Sequence, residues 1–203
     1  MNFYSRYIFP RLLDWTMVSP TVSKYRKRLL QDVRGDVLEI GFGTGLNLAY
    51  YPEEIQSLTT VEVNAGMNEM AKKRIETVPF QVDSRVVNGD SLPFADESFD
   101  SVVSTWTLCS IARINQALQE IYRVLKPTGK FFFIEHGLSD NPKVQVWQNR
   151  LTPLQKIVGD GCHLNRNMEG LISQYFPSVE LEKFKMETEP EIIGYLYQGV
   201  GRK

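Results

Sequence analysis

The sequence has few of the residues that build disulfide frameworks, metal clusters or membrane spans. It contains two cysteines, Cys109 and Cys162, and two histidines in 203 residues, with no Cys-x-x-Cys pair. This composition excludes a disulfide framework and suits a reducing cytoplasm, so we expect a cytoplasmic protein without a metal site. The longest apolar run, Phe131–Ile134, is too short to cross a bilayer, and no transmembrane segment is expected.

An excess of charge of either sign is also missing. The chain has 23 basic and 24 acidic residues and a net charge of −1. Proteins that bind mainly nucleic-acid phosphates are usually markedly basic, so no nucleic-acid partner is expected. With 42% hydrophobic and 23% charged residues, the composition is that of a folded protein, and the length predicts a single domain over residues 1–203.

The first 33 residues differ in character from the core predicted over residues 34–203. Apolar residues recur at roughly helical spacing between Phe3 and Trp15, which predicts an amphipathic helix. Charged residues such as Arg6 interrupt this stretch, so it is not a secretory signal. Two interpretations stay open: an arm or lid packed on the domain or over its site, and a surface that touches a membrane or an apolar substrate.

A second helix is predicted from about Val22 to Asp32. Its basic run from Lys24 to Arg28 is interpreted as a solvated helix face. Contact of this run with an anionic lipid or substrate is the alternative.

Strands and helices then alternate along the chain, which is typical of a doubly wound α/β fold with a mainly parallel sheet. The predicted strands are Asp36–Ile40, Leu58–Val63, Arg85–Asn88, Asp100–Trp106 and Lys130–Glu135. The predicted helices between them are Leu46–Tyr51, Gly66–Thr77 and Ile114–Leu125. In the tail, the pattern predicts a helix over Val144–Leu154 that breaks near Pro153, a helix over Met168–Phe176, and two closing strands, Ser178–Met186 and Gly194–Gly201, paired as a hairpin at the sheet edge.

A glycine-rich turn follows the first strand and precedes a helix. Its pattern is acid-x-G-x-G-x-G, from Glu39 through Gly41 and Gly43 to Gly45. Glycine lets the backbone approach a ligand closely, and a helix N-terminus offers free N–H groups. A dinucleotide site would need glycine in place of Leu46, and a carboxylate here would oppose a pyrophosphate but favour a cationic group.

Further polar residues follow the other strands. Glu62 ends the second strand, where an acidic side chain can bind both ribose hydroxyls. Asp90 and Ser91 follow the third strand, and Asp90 is a candidate acceptor for an adenine amino group. We expect Asn47 and Thr105 near the amino-acid end of the ligand, with helix capping and strand packing as alternatives. Together these residues predict a pocket for an adenosine with a positively charged, amino-acid-like end.

These motifs resemble those of class I S-adenosylmethionine-dependent methyltransferases. The resemblance covers about residues 35–136, including the segments FADESFDSVVS and EIYRVLKPTGK. It implies a seven-stranded Rossmann-like sheet of order 3-2-1-4-5-7-6, with only strand 7 antiparallel. It also implies S-adenosylmethionine as cofactor and S-adenosylhomocysteine as product. The segments Leu108–Ser110, Glu135–His136 and Gly159–Cys162 are similar to those of alkyl-thiol methyltransferases of animal microsomes and their bacterial relatives.

That narrower similarity implies a small-molecule acceptor, and a thiol in particular. We expect His136 and Asp160 to be catalytic, as groups that raise the thiolate fraction of the acceptor. For His136 the alternative is a histidine held by structural hydrogen bonds. Cys162 is either a functional group or a small buried residue. Methylation of a quinone carbon or a phospholipid amine, and cofactor binding without catalysis, stay open as alternatives.

Overall fold

The computed structural model describes residues 2–203. Within that range one sheet holds seven strands in the order β3-β2-β1-β4-β5-β7-β6. The strands are β1 Gly35–Ile40, β2 Ile55–Val61, β3 Val82–Arg85, β4 Phe99–Thr105, β5 Leu125–His136, β6 Ser178–Lys185 and β7 Tyr195–Arg202. The first five pair in parallel, and β7 is antiparallel to both β5 and β6. This confirms the predicted strand order and fold class.

Helices cover both faces of the sheet. They are α1 Phe9–Met17, α2 Pro20–Leu30, α3 Ala65–Ile75, α4 Ile114–Val124, α5 Pro142–Val158, α6 Met168–Ile172 and α7 Glu191–Gly194, with a π-helical turn at Tyr4–Ile8 before α1 and a 3₁₀ helix at Leu46–Tyr50. Among residues 2–203, none of these helices combines the length and the apolar character needed to cross a membrane.

The apolar run Phe131–Ile134 of β5 packs against the helices on both faces of the sheet. Phe131 and Phe133 lie in one buried cluster, with residues of α4 and α6. Phe132 and Ile134 lie in the other, with residues of α2 and α3. Successive side chains of a strand point to opposite faces, so a strand buried on both faces is apolar throughout. This buried run fixes β5 within the sheet, and His136 stands at the carboxyl end of that strand.

Two local predictions are wrong. The helix predicted to break near Pro153 continues through it as α5. Proline removes one helical hydrogen bond, but the buried Gln148 side chain anchors the helix by donating to the carbonyl oxygens of Gly137 and Ile192, at 3.0 and 3.2 Å. The third strand ends at Arg85 instead of spanning 85–88, because its partner β2 ends at Val61, opposite Arg85.

The N-terminal segment lies across the carboxyl edge of the sheet. The Asp14 carboxylate on α1 accepts hydrogen bonds from the Thr44 hydroxyl at 2.6 Å and from Arg74 Nη1 at 2.9 Å. Near the start of the chain, the Ser5 hydroxyl donates to Asp160 Oδ1 at 2.7 Å, and the Tyr4 hydroxyl donates to the carbonyl of Val158 at 2.6 Å. The arm therefore bridges the glycine turn and the loop after α5.

We predict that an Asp14→Ala variant loosens the arm and leaves the core intact. Burial raises the pKa of Asp14, but the hydrogen bonds from Arg74 and Thr44 outweigh it, so the pKa lies below its usual value. Loss of these charge-assisted bonds costs roughly 1.5–3 kcal/mol. Hydrogen exchange measured by mass spectrometry is expected to speed up across residues 4–17 and stay unchanged in β4 and β5. An Asp32→Ala variant, at an exposed position, serves as control; equal exchange in both variants would contradict the assignment.

Candidate active site

A cavity of about 740 Å³ opens at the carboxyl ends of the central strands. Open α/β sheets bind ligands at this position. The arm, the glycine turn, the loop between β4 and α4, and the loop after α5 all contribute to its wall. Its volume lies within the range of natural small-molecule sites.

The glycine turn forms one wall because its backbone is left-handed. Gly41, Gly43 and Gly45 have φ angles of 73°, 57° and 81°. A Cβ on Gly41 would overlap the Thr107 side chain, whereas a Cβ on Gly43 would meet only the Gly41 carbonyl oxygen, at 3.9 Å. Gly41 and Gly43 line the cavity, and Gly45 starts the 3₁₀ helix behind it. The turn thus presents bare backbone to the cavity.

Glu62 holds this turn in place from the end of β2. Its Oε2 accepts from the Gly43 N–H at 2.9 Å, and its Oε1 accepts from the Asn64 N–H at 2.8 Å. Burial raises the pKa of Glu62, and these backbone hydrogen bonds oppose that shift. Each carboxylate oxygen has a second lone pair, and Glu62 lines the cavity. The backbone hydrogen bonds fix the orientation of the Glu62 carboxylate, which can therefore accept hydrogen bonds from both hydroxyls of a diol.

Glu39 is the centre of a buried polar network at the other side of the turn. Its Oε1 accepts from Asn47 Nδ2 at 2.8 Å, and its Oε2 accepts from the Tyr51 hydroxyl at 2.7 Å. Burial raises the pKa of Glu39 to about 7, against the hydrogen bonds from Tyr51 and Asn47. Asn47 also donates to Thr105 Oγ1 at 3.1 Å. Glu39 and Thr105 line the cavity, and Asn47 lies behind them.

Arg26 is a residue of this site that the sequence interpretation missed. The basic run was expected to be solvated, but Arg26 is only 5% exposed and lines the cavity. Its Nη1 donates to Asn47 Oδ1 at 2.6 Å, and its guanidinium lies 4.8 Å from the centre of the Trp106 ring. Burial lowers its pKa to about 10, and the charge of Glu39 opposes that shift. The helical spacing of Val22, Arg26 and Leu30, all on the buried side of α2, was the signal that could have revealed it.

Asp90 and Ser91, the residues expected at the adenine, lie next to the cavity lining and are not part of it. Asp90 is buried and paired with Arg113, with 2.8 Å between Nε and Oδ2. Neither Asp90 nor Ser91 belongs to the lining, whereas the preceding Asn88 and Gly89 do. The turn is therefore at the site, but the structure does not bring these two side chains to its wall.

His136 and Asp160, the two residues predicted to be catalytic, also line the cavity, together with both cysteines. Cys162 Sγ lies 3.4 Å from Cys109 Sγ and 3.7 Å from His136 Nδ1. Asp160 accepts from the Ser5 hydroxyl of the arm. The end of β5 and two loops line this part of the cavity, and the arm contacts it through Ser5.

The residues present fit S-adenosylmethionine. Besides its bond to Asn47, Arg26 has an Nε atom that is buried and has no hydrogen-bond partner within residues 2–203. An unpaired buried donor is costly, so a ligand carboxylate would relieve it. Glu39 nearby favours an ammonium group, and Glu62 favours ribose hydroxyls. The donor set thus matches a zwitterionic amino acid joined to a nucleoside.

Comparison with known proteins gives the same picture. A family model described as a methyltransferase domain matches residues 38–133. The chain is 36% identical over 180 residues to thiol S-methyltransferase TMT1B of Rattus norvegicus, which covers 81% of this chain and 73% of that protein. It is 33% identical over 105 residues to a demethylmenaquinone methyltransferase of Symbiobacterium thermophilum, covering 49% and 41%. A solved S-adenosylmethionine-dependent methyltransferase of Thermotoga maritima shares the fold, with a TM-score of 0.65, 22% identity and coverage of 97% and 99%.

A Glu62→Ala variant is expected to bind S-adenosylmethionine about a hundredfold more weakly, because two hydrogen bonds to a charged group are lost. Isothermal titration calorimetry measures the dissociation constant. The matched control is Glu54→Ala, which removes an exposed carboxylate just before β2. Unchanged affinity in Glu62→Ala would contradict the ribose assignment.

The buried Glu39 carboxyl predicts a pH dependence of stability. Its pKa is about 7 in the folded chain, above the usual value of an unfolded glutamate. The folded chain therefore holds more protons between these two values, and this group's contribution to the free energy of unfolding falls as pH rises through that window. Urea unfolding of the cofactor-free protein at about pH 5 and about pH 8 is expected to show a smaller drop in a Glu39→Gln variant than in the wild type. A drop of equal size would refute the shifted pKa.

Proposed function

Because the chain belongs to the class I S-adenosylmethionine-dependent methyltransferases, we propose that it transfers the methyl group of S-adenosylmethionine to a small thiol. One observation carries this proposal. A single cavity joins a cofactor-binding wall, at Glu39 and Glu62, to an acceptor end at His136 and Asp160. The match to a thiol S-methyltransferase covers 81% of this chain.

Each residue of the cofactor-binding wall has its own role. When bound, the cofactor supplies a methyl group that is already activated on a sulfonium. Glu62 binds the ribose hydroxyls, and Gly41 and Gly43 allow close approach of the backbone. Arg26 faces the ligand carboxylate, and Glu39 faces the ammonium group.

The remaining predicted cofactor residues support this wall. Asn47 orients the Glu39 carboxylate and also donates to Thr105 Oγ1, and Gly45 lets the chain turn into the 3₁₀ helix. Asp90 and Ser91 support the Asn88–Gly89 turn at the adenine edge.

Alignment is the main task left to the protein, since the methyl group needs no further activation. Holding donor and acceptor in line lowers a barrier by about 7–11 kcal/mol in favourable cases. His136 and Asp160 line the same cavity and are assigned to the acceptor. Free alkyl thiols are only a few per cent ionised at neutral pH, so a group that favours the thiolate would raise the rate.

The arm is proposed to act as a lid through which an apolar acceptor enters. Leu12 and Leu13 line the cavity from α1, while Phe3 and Trp15 are 71% and 79% exposed on the outside. The outer face is suited to peripheral contact with a membrane surface or with an apolar substrate. A cytoplasmic location and the absence of a nucleic-acid partner follow from the composition and belong to this proposal.

Methylation of a quinone carbon is the second candidate. The partial match to a demethylmenaquinone methyltransferase favours it, and the apolar arm would suit a lipid-derived ring. That match covers about half of this chain, whereas the thiol methyltransferase match covers 81%. The thiol is therefore the preferred acceptor.

We predict that the purified protein releases S-adenosylhomocysteine with soluble alkyl thiols in the absence of lipid or detergent. Phenols, amines and quinols are tested in parallel, with Glu62→Ala as the control of low activity. Turnover with a quinol and not with thiols would replace the proposed acceptor. Binding of the cofactor without turnover on any acceptor would point to a non-catalytic protein.

A further inference from the structure

Two sulfurs and an imidazole meet at the acceptor end of the cavity. Cys109 lies in the loop between β4 and α4, His136 ends β5, and Cys162 lies in the loop after α5. One ligand atom from each lies within 4.8 Å of the others. Both cysteines are buried, His136 is half-buried, and all three line the cavity.

The spacing of these atoms suits a shared metal ion better than a disulfide. The two sulfurs are 3.4 Å apart, whereas a disulfide bond is about 2.0 Å long. In a tetrahedral zinc site with Zn–S bonds of about 2.3 Å, two sulfurs are separated by about 3.8 Å. The distance of 3.7 Å between Cys162 Sγ and His136 Nδ1 falls in the same range.

The loops that carry the sulfurs are held in place by other groups. The buried Glu135 carboxylate accepts from the backbone N–H groups of Leu108 and Cys109, at 3.0 and 3.1 Å. The carbonyl oxygen of Cys109 accepts from the backbone N–H of His163 at 2.9 Å. The cysteine loops are therefore fixed before any ion binds, as the supporting shell of a metal site requires.

We propose that Cys109, His136 and Cys162 bind a thiophilic divalent cation, Zn²⁺ in the first instance, through Sγ, Nδ1 and Sγ. Two thiolates would balance the charge of the ion in this buried place. Three protein ligands leave a fourth position, which is the arrangement of catalytic zinc sites. All three residues line the cavity, so a fourth ligand could reach the ion from it.

The open position fits the sulfur of the acceptor, a step that rests on the proposed thiol methyltransferase function. The acceptor thiol releases its proton to solvent and binds the ion as a thiolate. A lone pair of that sulfur then forms the new bond to the methyl carbon, while the bond between that carbon and the sulfonium breaks. The electron pair of the broken bond stays on the cofactor sulfur, which becomes a neutral thioether. In this arrangement His136 serves as a metal ligand.

Metal content tests the site without any acceptor. Protein expressed with added zinc and purified without chelator is expected to hold about one zinc per chain by inductively coupled plasma mass spectrometry. Cys109→Ser, Cys162→Ser and His136→Asn are each expected to lose most of it. The matched control is His163→Asn, which changes the only other histidine of the sequence and should keep the ion.

Calorimetry with S-adenosylmethionine checks that each variant is folded, since none of the residues assigned to cofactor binding is changed. Metal-free wild-type protein that takes up no zinc on titration would overturn the proposal. So would a Cys109–Cys162 disulfide in freshly purified protein, seen as a loss of two hydrogens by intact mass, or equal zinc content in all variants.

Cobalt substitution tests the open position. Co²⁺ in the site is expected to give a thiolate-to-metal charge-transfer absorption that changes when 2-mercaptoethanol is added. A spectrum that does not respond would remove the acceptor role and leave the metal site in place. Conversely, metal binding in a protein that methylates no thiol would refute the proposed acceptor but not the site.

Discussion

The site depends on a backbone bend with left-handed dihedral angles, which favour glycine. Gly41 and Gly43 take left-handed dihedrals, and the Glu62 carboxylate fixes that bend from the neighbouring strand. A single acidic side chain thus links two strand ends and leaves lone pairs facing the cavity. Parallel strands end at one edge of the sheet, and open α/β sheets bind ligands at that edge.

Burial of charge is the second constraint. Glu39 and Arg26 are both buried, and the charge of each offsets part of the other's desolvation cost, while Asn47 hydrogen-bonds to both. The network leaves Arg26 Nε without a partner in the described part of the chain. Such an arrangement is costly in the free protein and becomes favourable when a ligand of opposite charges arrives. Binding affinity and free-state stability are therefore coupled through the same residues.

Local signals were sufficient where a motif is continuous in sequence. The turn from Glu39 to Gly45 and the position of Glu62 after a strand predicted the cofactor wall, because both depend on spacing along one βαβ unit. The strand order followed from resemblance and was confirmed. The break at Pro153 was wrong because Gln148, through contacts with distant carbonyls, stabilises a helix that local propensity disfavours. Arg26 was missed because charge was weighed above its place on the buried stripe of α2.

Sequence by itself determined the fold class and the cofactor chemistry, since these follow from short periodic patterns and from residue types at fixed offsets, and it predicted the main cofactor residues. The tertiary structure alone decided how the groups around the predicted His136 and Asp160 are arranged. Cys109, His136 and Cys162 are far apart in the chain and carry no spacing signal, and the Ser5–Asp160 contact joins residues 155 positions apart. Only the packing of α5 and the arm on the sheet brings these groups together, because long-range contacts depend on the whole core and not on any local segment.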